Sequence, residues 1–195
     1  MTAASPRLGD PVPPFSLPEV TSDETVTFDD VVGPHGAVVM FLCRHCPYVK
    51  HVQDEVARLA RDYAASGVGF VGISANDITA QPDDAPPRLA EQKRTVGFDF
   101  PYLFDESQTV AQAFGAACTP EFFVADRAGT LVYRGRLDAT RPGGPEPDGA
   151  DLRAALDALI AGRPVDDDQQ PAIGCSIKWR PGNEPDTGLP QVGGV

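Results

Sequence analysis

The sequence predicts an α/β protein with a central mixed β-sheet flanked by helices on both faces. Two short continuous apolar runs, residues 38–42 and 68–74, have the pattern of strands that are buried on both faces. Between them, apolar residues from Val49 to Tyr63 recur at alternating spacings of three and four, as on one face of a helix. A strand, a helix and a second strand joined by short links form a right-handed parallel βαβ unit, which places both strands in one sheet.

The remaining elements are predicted from the positions of proline, glycine and apolar residues. Prolines concentrated in the first 20 residues favour an extended N-terminal segment over a helix, and we expect it to form a β extension. Short helices are expected from Pro86 to about Val96 and from Ser107 to Phe114, because a glycine follows each of them. The last predicted elements are, in order, a strand at 121–125, a turn at 126–129, a strand at 131–135 and a helix at 152–160.

Residues 1–162 are predicted to form one domain, and residues 163–195 a C-terminal extension. Prolines and an acidic run describe this extension as an irregular tail. The tail nevertheless carries Cys175, Ile177 and Trp179, which a freely solvated segment has little use for. We therefore expect the tail to pack on the domain, with Trp179 as a hydrophobic anchor.

The composition excludes several function classes. The 195 residues contain 16 Lys and Arg against 28 Asp and Glu, which gives a net charge of −12 and a pI near 4.5. This acidic balance argues against nucleic acid or an anionic membrane as the main partner. No apolar run approaches the ~20 residues that cross a bilayer, and residues 1–14 lack the apolar core of a secretory signal. We therefore expect a cytoplasmic protein whose four cysteines are reactive, metal-binding or buried, and not a disulfide scaffold.

The strongest chemical signal is the pair Cys43 and Cys46, separated by two residues between the predicted strand and helix. Two cysteines at this spacing in a βαβ unit indicate a pair that cycles between dithiol and disulfide. Pro47 prefers the first helical position, so Cys46 is expected at the N-cap, where backbone amides and the helix dipole stabilise a thiolate. His45 and Lys50 are expected to add positive potential. We predict Cys46 as the nucleophile, with its sulfur open to solvent, and Cys43 as the first candidate for the resolving partner.

A metal site is the alternative interpretation of the same residues. Cys43, Cys46, His45 and His51 are four potential ligands, and they would make a non-catalytic metal- or partner-binding module. However, Cys46 and His51 are five residues apart and do not share a helix face. The sequence also lacks a second Cys-x-x-Cys or His-x3-His that would complete a tetrahedral set. We therefore predict no metal and no cofactor.

Several segments resemble a known group of proteins. Residues 9–17 and 118–123 resemble the opening segment and the cis-proline loop of the peroxiredoxin and thioredoxin-like redoxin superfamily. Residues 45–51, 133–138 and 174–179 together resemble a peroxiredoxin-like subgroup, of the alkyl hydroperoxide reductase and thiol-specific antioxidant type. The resemblance covers nearly the whole chain and implies a thioredoxin-like fold.

The resemblance also implies roles for individual residues. The Thr119–Pro120 bond is expected to be cis and to present the Thr119 backbone to an incoming disulfide or peptide. Counted without gaps, Cys46 takes the place of the first active-site cysteine of thioredoxin. Val49 takes the place of the second one and of the peroxidatic cysteine of peroxiredoxins. The strand before Cys43 also lacks the buried aspartate that thioredoxin uses as a proton acceptor.

Two further cysteines are candidate resolving residues. Cys118 lies two residues from the expected cis bond, and it either approaches Cys46 or is a small buried residue. Cys175 resembles the C-terminal resolving cysteine of some peroxiredoxins. The resemblance implies a thiol–disulfide oxidoreductase that acts on a disulfide-containing protein or small thiol and draws electrons from a cellular thiol reductant such as a thioredoxin. The alternative is a thiol-dependent peroxidase, in which Cys46 attacks a peroxide.

Overall fold

The computed structural model describes residues 5–185 of the chain. Within that range the elements are, in chain order, β1 (Ser16–Pro18), β2 (Thr25–Thr27), α1 (Phe28–Val31), β3 (Gly36–Phe41), α2 (Pro47–Ala64), β4 (Val68–Ser74), a short 3-10 turn (Pro82–Asp84), α3 (Pro86–Val96), β5 (Tyr102–Phe104), α4 (Thr109–Phe114), β6 (Cys118–Thr119), β7 (Glu121–Ala125), β8 (Leu131–Gly135), α5 (Ala150–Ile160) and β9 (Cys175–Ser176).

A five-stranded mixed sheet lies at the centre, with the strand order β5-β4-β3-β7-β8. The β3–β4 and β4–β5 pairs are parallel, whereas β7 runs antiparallel to both β3 and β8. The predicted βαβ unit and the predicted hairpin are therefore both present. A central mixed sheet with flanking helices is confirmed.

The central strand β3 is buried on both faces, as its continuous apolar sequence predicts. Because side chains alternate along a strand, Val38 and Met40 enter the core on one face of the sheet, and Val39 and Phe41 enter the core on the other. β3 is thus clamped between two apolar layers, and the loop that follows it starts from a fixed point.

The helix after this loop also has the predicted boundaries. Cys46 is the N-cap residue of α2, with extended backbone angles, and Pro47 occupies the first turn. The apolar stripe of α2 packs into the same core as Val38, and its residues include Val49, Val52 and Val56. The sequence thus fixes both ends of the loop, with a buried strand before it and a proline-initiated helix after it.

Several features of the fold differ from the sequence predictions. The short elements α1 and β6 are not predicted, and the tail, predicted to be irregular, contains the strand β9. The edge strand β5 is absent from the predicted elements, since three residues are too few to show a period. The helix expected at Ser107 begins at Thr109, after Gln108 in a left-handed conformation. The N-terminal β extension is confirmed in part, because β1 and β2 form a separate two-stranded sheet.

The tail runs back across the domain, and its described part packs on it. Gln169 accepts a hydrogen bond from the Arg134 amide and donates one to the Val132 carbonyl on β8. Farther along, β9 pairs antiparallel with β6, and Ile177 is buried in the core, with Trp179 packed against the same cluster. Within residues 5–185, none of the helices is long and apolar enough to cross a membrane.

Candidate active site

The site is built where β3 ends and α2 begins. The Cys43–Cys46 loop leaves the clamped strand and ends at the N-cap of an 18-residue helix. The Cys46 sulfur faces the first turn of α2, close enough to the Val49 amide for that N–H to lower the pKa of Cys46, although it forms no capping hydrogen bond. The predicted position of Cys46 at the start of the helix is confirmed.

Three sulfur and oxygen atoms surround Cys46 Sγ. The Cys175 Sγ atom lies 2.7 Å away, and the Thr119 carbonyl oxygen lies 3.3 Å away. The neighbouring Cys43 thiol is the largest cause that lowers the pKa of Cys46. The Cys175 thiol and backbone amide lower it further. Cys46 is thus favoured as a thiolate at neutral pH.

Cys43 has the opposite character. Its hydrogen bond to Cys46, its burial and the charge of Asp84 all raise the pKa of Cys43 far above that of a free thiol. Its sulfur lies 3.1 Å from the Thr119 hydroxyl oxygen, and that contact lowers its pKa only in part. Cys43 therefore stays protonated and serves as a donor to its neighbour.

The loop that faces Cys46 contains the predicted cis bond. The Thr119–Pro120 peptide is cis, which confirms the expectation. Thr119 presents two groups to the site, its carbonyl oxygen to Cys46 and its hydroxyl to Cys43. One buried residue of this loop therefore contacts both cysteines of the Cys-x-x-Cys pair.

Residues 174–179, which we call the cover segment, close the site. In this segment Cys175 pairs with Thr119 across the β6–β9 ladder. Burial and the neighbouring Cys46 raise the pKa of Cys175 to about 11. Cys46 is 0% exposed beneath it. The prediction that the Cys46 sulfur is open to solvent is therefore wrong for this structure, because the cover segment lies on it.

Cys118 is the fourth cysteine, and its thiol is placed differently. Its sulfur faces the Pro120 carbonyl oxygen at 4.0 Å. Burial, and then the charge of Glu121, raise the pKa of Cys118 to about 12. Cys118 is thus partly buried beside the site, where the charges of Cys46 and Cys175 also raise its pKa, and its role as a resolving residue stays a prediction.

A buried carboxylate that sequence reasoning missed fixes the Cys43–Cys46 loop. Asp84 is fully buried, and its Oδ1 accepts hydrogen bonds from the backbone amides of Arg44 and His45 at 2.7 and 3.0 Å. Its Oδ2 accepts from His45 Nδ1 at 2.5 Å and from Asn76 Nδ2 at 2.8 Å. Asp84 is the last residue of the short 3-10 turn, two residues before α3, and no periodicity marks it in the sequence.

The same network reaches the cover segment. Asn76 Oδ1 accepts a hydrogen bond from the Lys178 amide, and the Asp77 amide donates one to the Lys178 carbonyl. Gln108, which donates to the same carbonyl at 2.9 Å, was also missed. Asn76 thus connects Asp84, which holds the Cys43–Cys46 loop, to the cover segment.

The predicted roles of His45 and Lys50 differ from their placement. His45 directs its Nδ1 at Asp84. The negative charge of Asp84 therefore offsets the positive potential that was expected from this ring. Lys50 is exposed on the outer face of α2. The main causes of the lowered pKa of Cys46 are thiols and amides, and a contribution from His45 or Lys50 stays a prediction.

The four ligands of the metal alternative are not brought together among the described residues. His51 Nε2 lies 3.0 Å from the Thr140 hydroxyl instead. A different group, Cys43, His45 and Asp84, has its potential ligand atoms within 4.8 Å of one another. Each Asp84 oxygen already accepts two hydrogen bonds, so this group forms a satisfied network without an ion.

Solved structures and curated proteins resemble this chain. An uncharacterized conserved protein from Geobacillus kaustophilus is 50% identical, with a TM-score of 0.87 over 90% of this chain and 93% of that one. A thiol:disulfide interchange protein of the thioredoxin family from Chlorobium tepidum is 20% identical, with a TM-score of 0.60 over 80% of this chain and 99% of that one. The latter likeness shows the thioredoxin-like fold. The thiol:disulfide interchange protein DsbE of Allochromatium vinosum is 28% identical over 141 residues, 69% of this chain and 71% of that protein.

The family match covers the elements that build the site. Residues 8–134 match the AhpC/TSA family, and this range contains β3, α2, the cis-proline loop and Asp84. The matched range is more than half of the chain. The chain therefore belongs to the AhpC/TSA family and is a redox protein with the thioredoxin fold.

Proposed function

We propose that this protein is a thiol–disulfide oxidoreductase in which the Cys46 thiolate attacks a substrate disulfide. The observation that carries the proposal is the position of Cys46 at the N-cap of α2, with the Cys175 sulfur 2.7 Å from its own. The thiols of Cys43 and Cys175 and the amides of Val49 and Cys175 all favour the anion, which is the nucleophilic form of cysteine. The DsbE relative, named for thiol:disulfide interchange, supports the same chemistry.

The reaction consists of two exchange steps. The Cys46 thiolate attacks one sulfur of a disulfide R–S–S–R′, a bond forms to that sulfur, and R′S⁻ leaves with the electron pair of the broken bond. A second thiol of the chain loses its proton and attacks the Cys46 sulfur, which releases RS⁻ and leaves an intramolecular disulfide. The substrate gains two electrons, which a cellular dithiol reductant such as a thioredoxin then restores to the protein. We propose that this cycle runs in the cytoplasm.

A substrate reaches Cys46 only when the cover segment leaves. The β6–β9 ladder is two residues long, and Ser176 within it is exposed. Moving this short strand frees the Thr119 backbone and the Cys46 sulfur together. A substrate disulfide in an extended peptide then takes the place of the strand.

The test is the reduction of a protein disulfide by the purified chain in the presence of a dithiol reductant. We expect turnover by the wild type and a fall to the uncatalysed background for Cys46→Ser, because this variant lacks the attacking thiolate. Cys118→Ser is the matched control and keeps its turnover, since the Cys118 sulfur faces Pro120. Full activity of Cys46→Ser would contradict the proposal.

Membership of the AhpC/TSA family favours a second candidate function, thiol-dependent peroxidase. Here the Cys46 thiolate attacks one peroxide oxygen, the O–O bond breaks, and water or an alcohol leaves while Cys46 becomes a sulfenic acid. A second thiol then condenses with it and releases water. Consumption of hydrogen peroxide is measured beside protein disulfide reduction at equal enzyme concentration. The larger of the two rates that Cys46→Ser abolishes decides between the functions.

A further inference from the structure

The cover segment places a second cysteine directly on the nucleophile. Cys175 Sγ lies 2.7 Å from Cys46 Sγ. The position is fixed by the strand register, because Cys175 is the ladder partner of Thr119. The residue before it is glycine for a steric reason, since a Cβ on Gly174 would lie 2.0 Å from the Thr119 carbonyl oxygen. The segment is thus built to bring this sulfur to Cys46.

We infer that Cys175 is the second redox-active thiol of the chain, and that outside thiols reach the Cys46–Cys175 disulfide through the Cys175 sulfur. This inference rests on the proposed function and deepens it. It names the resolving residue and the atom at which reducing equivalents enter.

Cys43, the partner that the spacing favours first, has a different task. Its thiol is fully buried, and its sulfur lies 3.1 Å from the Thr119 hydroxyl oxygen. The effect of Cys46 ends when Cys46 has formed the mixed disulfide, but the burial of Cys43 and the charge of Asp84 remain, and both continue to oppose an attacking thiolate. Cys43 therefore supports the Cys46 anion and does not resolve the mixed disulfide.

Cys175 becomes a better nucleophile when it is needed. Apart from burial, its pKa is raised by its hydrogen bond to Cys46 and by the Cys46 charge. Both causes disappear once Cys46 is bonded to a substrate sulfur and carries no charge. The first exchange step therefore makes Cys175 more acidic, and its thiolate meets the Cys46 sulfur when the cover segment returns to its place in the β6–β9 ladder.

The direction of re-reduction follows from exposure and acidity. Cys175 is partly exposed, whereas Cys46 is fully covered. An incoming thiolate prefers to displace the sulfur that has the lower pKa, and here that sulfur is Cys46. Both factors direct the attack to Cys175.

A dithiol reduces the Cys46–Cys175 disulfide in two exchange steps. A reductant thiolate forms a bond to Cys175 Sγ, the Cys46–Cys175 bond breaks, and Cys46 leaves with the electron pair. A second thiolate of the same dithiol reductant attacks its own sulfur in the mixed disulfide, and Cys175 leaves and takes up a proton. The reductant ends as a disulfide, and two electrons have passed to the protein.

The first experiment maps the disulfide in protein oxidised with oxidised glutathione. We expect a Cys46–Cys175 pair in the wild type and in Cys118→Ser. In Cys175→Ser we expect glutathione to accumulate on Cys46, because the resolving thiol is missing. A Cys43–Cys46 disulfide in the wild type, or release of glutathione from Cys175→Ser at the wild-type rate, would overturn the inference.

The second experiment locates the point of entry. Oxidised wild-type protein is mixed with a biotin-tagged monothiol and quenched in acid, and the tagged cysteine is identified by mass spectrometry. We expect the tag on Cys175 in at least tenfold excess over Cys46, whereas equal or greater labelling of Cys46 contradicts the assignment. If turnover requires Cys46 but the mapped disulfide involves Cys43, the inference about Cys175 is wrong and the proposed function stands. If Cys46→Ser keeps full turnover, the proposed function is wrong.

Discussion

Two segments meet at the Cys46 sulfur, and they are held in different ways. The Cys43–Cys46 loop is fixed by a fully buried carboxylate, since Asp84 accepts four hydrogen bonds, two of them from backbone amides of the loop. The cover segment is held by a two-residue ladder, by backbone hydrogen bonds at Ile177 and Lys178, and by apolar packing of Ile177 and Trp179.

This difference indicates which of the two segments moves. Freeing the loop leaves a buried charge without its donors, which costs several kcal/mol. Freeing the cover segment exposes one buried apolar side chain and a few neutral hydrogen bonds, each of which contributes about 1 kcal/mol. The reactive sulfur therefore stays on a fixed element, and the cysteine that reacts with it lies on a removable one.

The largest expected effect comes from removing the Asp84 carboxylate, which holds the Cys43–Cys46 loop. Asp84→Ala leaves two backbone amides, His45 and Asn76 without their acceptor, so we expect a fall of about 3 kcal/mol in the free energy of unfolding. Urea denaturation measures this change. The matched control is Asp83→Ala, at the exposed neighbour that forms an ion pair with Arg44; it should cost less than about 1 kcal/mol. Equal losses for the two variants would show that Asp84 does not hold the loop.

The next effect concerns the acidity of Cys46. Cys43→Ala removes the donor that lowers the pKa of Cys46 most. Because a hydrogen bond to a charged group contributes about 1.5–3 kcal/mol, and one pKa unit is about 1.4 kcal/mol, we expect the pKa of Cys46 to rise by about 1–2 units. Thiolate absorbance followed against pH measures the midpoint.

The sign of this effect also predicts a change in the pH profile. In the wild type, Cys46 is ionised well below the ordinary cysteine pKa of 9.0, so the rate of disulfide attack should change little between neutral and mildly alkaline pH. In Cys43→Ala the fall in rate on the acid side of the profile should lie about 1–2 pH units higher than in the wild type, which is still below neutral pH. Cys43→Ser keeps an O–H donor and should restore part of the wild-type profile. An unchanged midpoint in Cys43→Ala would remove Cys43 from its supporting role.

The two segments also differ in how well the sequence predicts them, because one is positioned by neighbouring residues and the other by distant ones. The start of α2 is local information, because Pro47 and the apolar stripe from Val49 are enough to place Cys46 at the N-cap. The cis bond before Pro120 was predicted from the resemblance to a known family, and it is present. Short-range signals and family motifs therefore predict the reactive end of the site.

The rest depends on contacts between residues far apart in the chain. Asp84 lies 39 and 40 residues along the chain from the two backbone amides whose hydrogen bonds it accepts. Its neighbours in the sequence do not distinguish it from Asp83, which is exposed. Cys175 lies 129 residues from Cys46. Because no period or spacing reports such a distance, the sequence places Cys43 first among the candidate resolving residues and does not predict that the tail covers Cys46.

The smallest expected effect comes from releasing the cover segment from the domain. Ile177 is buried at the end of the ladder, and Ile177→Asp places a charge in an apolar layer, which the chain avoids by releasing the cover segment. We expect the rate of Cys46 alkylation at neutral pH to rise about tenfold, which corresponds to about 1.4 kcal/mol. The fluorescence of Trp179, the single tryptophan of the chain, should shift to longer wavelength because its ring leaves the core.

Ser176→Asp is the matched control for this release. It places the same charge one residue earlier, on a side chain that is already exposed, so the alkylation rate and the emission of Trp179 should stay near their wild-type values. Fast alkylation in both variants would mean that charge near Cys46, and not uncovering, controls its reactivity. If neither variant changes the rate, the cover segment does not limit access, and substrates reach Cys46 by a route that leaves β9 in place.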